Sequence, residues 1–108
     1  MLHYKKDYVK SHEVMPGYRG RFVHGDEITV VHWDIEKGNS VPEHEHHHEQ
    51  FVNCLEGSFV MLVDGVELPM EPGDTVVIPP NAVHSAYAVT DCKCLDVFTP
   101  VRSDYVFE

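Results

Sequence analysis

The chain has 108 residues, 43% of them hydrophobic, which is long and apolar enough for one packed core. Eight Lys and Arg stand against 18 Asp and Glu, a formal charge of −10, so no basic face is expected for nucleic acid or for an anionic membrane. A small acidic ligand is not excluded, because one buried arginine outweighs distant surface charge locally.

Residues 1 to 16 fit either an edge strand or a short turn of helix. Residues 18 to 24 and 27 to 36 are rich in Val, Ile, Thr and aromatic side chains and predict two strands. Strands over 50 to 55, 58 to 63 and 66 to 70 follow, the last two joined by Asp64-Gly65, a tight-hairpin signal. Glu71-Pro72-Gly73-Asp74 is a four-residue turn with Pro and Gly where turns want them. Strands over 74 to 79, 83 to 89 and 92 to 98 complete the series. No window of a dozen residues carries a helical period, and no linker, repeat or low-complexity block interrupts the chain. Short strands with regular turns predict a closed all-β barrel or sandwich whose interior can hold a ligand.

The N-terminal residues lead into no long apolar run, so neither a signal peptide nor a membrane span is expected, and the location expected is cytoplasmic. The cysteines, Cys54, Cys92 and Cys94, are odd in number and lack the spacing of a redox or zinc motif. They are expected as reduced, partly buried thiols.

The stretch from Gly38 to Gln50 holds the chemistry: Gly38-Asn39-Ser40-Val41-Pro42-Glu43-His44-Glu45-His46-His47-His48-Glu49-Gln50. Residues two apart on a strand share a face, so His44 and His46 are expected to point together into the barrel, with Gln50 of the same parity. His84 arrives from a later strand. Three neutral imidazoles and one amide oxygen suit iron, manganese, nickel, zinc or copper and leave positions open for substrate. Gln brings no charge, so the cation keeps its full Lewis acidity. A polar surface loop is the competing reading, and it weakens with each further residue in phase. His48 is awkward: strict alternation also points it inward, unless the chain bends after His46, and it is a candidate to support a ligand from behind. His47 is expected in solvent. A bulge at Glu49 would exchange its role with Gln50. His32 shares parity with Val30 and Ile28 and either enters the barrel or is an ordinary sheet residue. Trp33 and Phe51 read as packing.

These residues carry a resemblance. Gly38, His44, His46, Gln50 and Gly57 fall at the spacing of the first cupin motif, with Gln50 where that family most often has Glu. Gly73, Pro79, Asn81 and His84 resemble the second, with Asn81 in place of its usual Gly and Ala88 in place of its last Asn. The resemblance implies a single cupin domain over residues 1 to 108, its barrel over roughly 27 to 100. The fold is then an all-β jelly roll (a double-stranded β-helix), with a divalent metal held by His44, His46, Gln50 and His84. The ion is Ni, Zn, Fe or Mn.

The histidine segment and the run Leu95-Asp96-Val97-Phe98-Thr99-Pro100-Val101-Arg102-Ser103-Asp104-Tyr105 are similar to the small cupins of the pectin-degradation KdgF type. That likeness implies ring opening of 4,5-unsaturated uronates, from pectin and alginate breakdown, to linear 5-keto-4-deoxyuronate. It implies a pocket lined by Asp96, Phe98 and Arg102. Arg102 would grip the substrate carboxylate, Asp96 would move the anomeric proton, and Phe98 would pack on the sugar face. Each has a plain competitor: Asp96 as a strand cap or Arg102 partner, Arg102 as a solvated charge, Phe98 as core. The alternatives for the whole chain are another metal-dependent cupin enzyme, a dioxygenase or lyase, or a non-enzymatic cupin that binds small molecules. The expected partners are a small acidic sugar and a second copy in a homodimer, with no nucleic acid and no membrane.

Overall fold

Alternating apolar residues and tight turns build ten strands in the computed structural model, which describes residues 1–107. They are β1 (Ser11–Met15), β2 (Tyr18–His24), β3 (Thr29–Ile35), β4 (Ser40–His44) and β5 (Glu49–Glu56). Then come β6 (Phe59–Val63), β7 (Val66–Met70), β8 (Thr75–Ile78), β9 (His84–Ala88) and β10 (Cys92–Thr99). Pairing is antiparallel throughout, in a six-stranded sheet ordered β1-β2-β3-β10-β5-β8 and a four-stranded sheet ordered β4-β9-β6-β7. This is the expected all-β jelly-roll barrel.

The period of two sorts each strand. On β3, Val31, Trp33 and Ile35 are buried; on β10, so are Cys92, Cys94, Asp96 and Phe98. Gln50, Val52 and Cys54 of β5 face the same interior, and Phe59, Met61, Ala86 and Ala88 close it from the four-stranded sheet. Each fully buried aliphatic side chain among these is worth about 1.5–3 kcal/mol of removal from water. The β6–β7 hairpin turns through Asp64 at φ 48° and Gly65 at φ 80°, the double positive φ that the Asp-Gly pair was expected to supply. At Glu71–Asp74 the Asp74 N–H donates to the Glu71 carbonyl at 3.0 Å, with Gly73 at φ 98°.

Two parts of the outline differ from expectation. Residues 1 to 16 realise both alternatives, a 3-10 turn at Lys6–Tyr8 and then edge strand β1. The strand expected at the histidines is β4, which starts at Ser40 and stops at His44, short of His46; Pro42 and a run of polar residues obscure its alternation. His32 does not enter the barrel. It lies half-buried between the inward Val31 and Trp33, so its ring is on the outer face. There burial first, and then the nearby Lys6, hold its pKa down. No helix among the described residues is long and apolar enough to cross a membrane.

Candidate metal centre

A bulge places the first histidine. β4 and β9 pair Val41 with Ala86 and then His44 with His84, so three steps on β4 answer two on β9. The extra residue flips the phase, and His44 joins His84 with ring centroids 4.1 Å apart. β4 ends there. His46 lies beyond the strand, where its carbonyl accepts from the Asn81 N–H at 2.8 Å. The three imidazoles therefore meet, but not because His44 and His46 share a strand face. The chain bends at His47 and His48 before entering β5. Gln50 is buried on the inward side of β5 and Glu49 is not, so the two do not exchange roles.

The ligand atoms of His44, His46 and His84 all lie within 4.8 Å of one another. Backbone carbonyls fix their tautomers. The Nδ1–H of His44 donates to Pro42 O at 2.9 Å, that of His46 to His48 O at 3.1 Å and that of His84 to Ala82 O at 2.8 Å. In each ring this leaves the Nε2 lone pair for another partner. Nε2 of His84 is buried and has none among the described residues. Nε2 of His46 faces Gln50 Oε1 at 3.1 Å, two acceptors at the separation of neighbouring ligands on one ion with bonds of about 2.1 Å. The Gln50 amide is turned that way by Asp96, whose Oδ2 accepts from Gln50 Nε2 at 2.9 Å. Burial lowers the pKa of His84 to about 4 and, reinforced by Arg102, lowers that of His46, so the rings are neutral as ligands must be. An orphaned nitrogen on His84, fixed tautomers and an oriented amide oxygen fit a divalent transition metal. His44 is exposed, His46 half-buried and His84 buried, so the site opens to solvent on the His44 side.

Asp96 lies beneath the ligands on β10. Its Oδ2 also accepts from Trp33 Nε1 at 3.2 Å, while its Oδ1 is buried without a partner among the described residues. Burial pushes its carboxyl up to about 7, against the pull of those two donors. Trp33 reads from the sequence as packing alone. Its reach to Asp96, which pairs on the ladder not with Trp33 but with Val31, has no signal in the sequence.

Arg102 does not pair with Asp96. Its Nε and Nη2 donate to Asp104 at 3.0 and 2.8 Å, and its guanidinium carbon lies 4.7 Å from the Phe98 ring centre and 4.3 Å from that of Tyr105. That pair holds the Asp104 carboxyl below its ordinary range. Arg102, 8% exposed, is not a solvated charge; Phe98, 2% exposed, belongs to the hydrophobic core and also lines the cavity. His48 is buried beside the candidate ligands, its ring 5.3 Å from His46 and 6.5 Å from Phe98, with an Nδ1 unpartnered among the described residues. His47 is exposed. A cavity of about 70 Å³ runs among His44, Gln50, His84, Asp96, Phe98, Arg102 and Tyr105 and on to the apolar Val52, Phe59 and Met61. At 10–15 Å³ per water it has room for about five waters, the scale of a small ligand.

The sequence pattern of the cupin domain matches residues 31–98. The chain is 38% identical over 60 residues to a quercetin 2,3-dioxygenase of Bacillus subtilis (strain 168), a match that takes 55% of this chain and 18% of that protein. It is 26% identical over 83 residues to the pectin degradation protein KdgF of Dickeya dadantii (strain 3937), over 75% of this chain and 76% of that one. Its fold superposes on KdgF from Halomonas sp. with a TM-score of 0.92 at 25% identity, covering 98% of this chain and 99% of the other.

Proposed function

The chain belongs to the cupin family, and from that premise we propose that it is a metal-dependent enzyme that opens the ring of 4,5-unsaturated uronates to linear 5-keto-4-deoxyuronate. The observation that carries the reading is a candidate metal-ligand set oriented beside a buried carboxylate whose second oxygen has no partner among the described residues, in the cavity that a buried arginine also lines. The likeness to KdgF over nearly the whole length of both chains supports it.

His44, His46, Gln50 and His84 hold the cation, which when bound supplies positive charge to stabilise a developing enolate. Arg102 takes the substrate carboxylate and fixes the ring's orientation. Asp96 Oδ1 accepts the proton of the anomeric hydroxyl, the ring C–O bond breaks, and the C1 oxygen becomes that of an aldehyde. The electrons pass to the former ring oxygen as an enolate. Asp96 returns the proton to carbon 4, giving the ketone with no change in atoms overall. Phe98 stacks against the sugar and keeps water from the carboxylate pair.

The test is incubation of metal-loaded protein with an unsaturated galacturonate. Loss of the ultraviolet absorbance of its conjugated double bond should run faster than in buffer. Asp96→Ala and Arg102→Ala should each abolish the acceleration at saturating metal; full rate in both variants sinks the mechanism. The match to the quercetin dioxygenase favours a second reading, oxygen chemistry on the same ligands. Oxygen uptake with an aromatic diol, and no effect on the uronate, would select it.

A further inference from the structure

We infer that Tyr105 is a positioning residue that makes Arg102 a fixed carboxylate fork, an inference that rests on the reading of Arg102 given above. An arginine side chain left to itself samples many rotamers and meets an anion as a diffuse charge. Here the guanidinium is held by three contacts. Phe98 and Tyr105 present ring faces 4.7 and 4.3 Å from its central carbon, and Asp104 takes the Nε–Nη2 edge with both carboxylate oxygens. A planar guanidinium has only one other edge able to meet a carboxylate two-pronged, the Nη1–Nη2 edge. Arg102 and Tyr105 both line the cavity that Asp96 and the ligands share, so that edge is the one left for a ligand.

Tyr105 is itself fixed from outside the site. The Arg102 N–H donates to Thr29 Oγ1 at 2.8 Å. His24 lies 2.8 Å from the same hydroxyl through Nδ1 and 3.0 Å from the Tyr105 carbonyl through Nε2. A carbonyl only accepts, so Nε2 carries the proton and Nδ1 accepts from the Thr29 hydroxyl. The four residues close a directional loop in which each donor has an acceptor. Phe22 packs on the Tyr105 ring at 4.8 Å. The tyrosine is thus anchored to β2 and β3, and it carries that rigidity to the arginine.

The experiment is calorimetric binding of D-galacturonate and of its uncharged methyl ester to the nickel-loaded protein. In the wild type the acid should bind at least about tenfold tighter than the ester, and Tyr105→Phe should keep most of that ratio, since the ring face carries the contact. Tyr105→Leu should cut the ratio by about tenfold while leaving the ester's affinity unchanged. His24→Phe, which breaks the loop without touching the cavity, should lower the ratio too, and it decides the matter alone if Tyr105→Leu does not fold. Lost packing would weaken acid and ester alike; a ratio unchanged in the folded variants, or lost in Tyr105→Phe, overturns the inference and leaves the role of Arg102 intact. No acid preference in the wild type overturns the role of Arg102 itself.

Discussion

Strands β5 and β10 carry metal-capable side chains at both ends of the barrel interior, yet only one end is built as a site. At one end Gln50 and Asp96 stand beside the three histidines. At the other stand Cys54, Cys92 and Cys94, all buried and free. By element, three thiols are as good a donor set for zinc as three imidazoles. Among the described residues the histidine ligand atoms converge within 4.8 Å and the three thiols form no such group; the donor atoms also differ in what they already hold. Cys54 Sγ lies 3.5 Å from the Gly57 carbonyl, and Cys92 Sγ lies 3.2 Å from the carbonyls of Ser58 and Thr90. Burial raises the pKa of all three thiols, which keeps them protonated and apolar. At the histidine end, by contrast, buried polar atoms of His84 and Asp96 hold nothing among the described residues. Unmet bonding capacity, more than residue type, separates a site from a core.

The sharpest way to break this contrast is His84→Ala. It removes a ligand atom with no protein partner, and metal affinity should fall by more than about 100-fold, beyond the loss typical of a supporting residue. Dialysis followed by elemental analysis measures it, with circular dichroism to show that the sheet persists. Stoichiometric metal in the variant would mean that the orphaned nitrogen marks nothing.

At the cysteine end the effect should be smaller and of another kind. Cys94 is 2% exposed, opposite Cys54 across the β5–β10 ladder. Cys94→Ala should cost about 1–2 kcal/mol of unfolding free energy through the void it leaves, with metal content unchanged. Denaturant titration reads the first and elemental analysis the second. A variant that loses metal would tie the two ends together.

The same contrast explains how much could be read from the sequence. Alternation and turn chemistry are local, so β2, β5 to β7 and the Asp64-Gly65 hairpin were legible almost to the residue. The three histidines that converge were legible in the sequence. The bulge before His44 was not, because a phase shift shows only against the partner strand, and β9 lies some forty residues away. Nor were the links of Trp33 to Asp96 and of Arg102 to Asp104, since each depends on side-chain reach and not on register. Asp104 and Tyr105 were quoted as part of a motif, with no signal to give them a task.

Trp33→Phe tests the smallest link between the core and the site. Trp33 packs edge-on against Tyr18 and Phe22 with ring centroids 6.2 and 5.5 Å away, and its indole N–H donates to Asp96 at 3.2 Å. Phe keeps most of the ring contact and removes that one donor. Gln50 still bonds Asp96 Oδ2 at 2.9 Å, so the amide oxygen stays turned toward the histidines and metal content should not change. The carboxylate, however, loses one of the two bonds that aim its free oxygen. A hydrogen bond of about 0.5–1.5 kcal/mol corresponds to a fall in turnover of about 3–10-fold, seen in kcat with KM held. A fall as deep as that of Asp96→Ala would put the indole in the chemistry itself. No fall at all would mean that Gln50 alone aims Asp96, and that the tryptophan belongs with the cysteines as core.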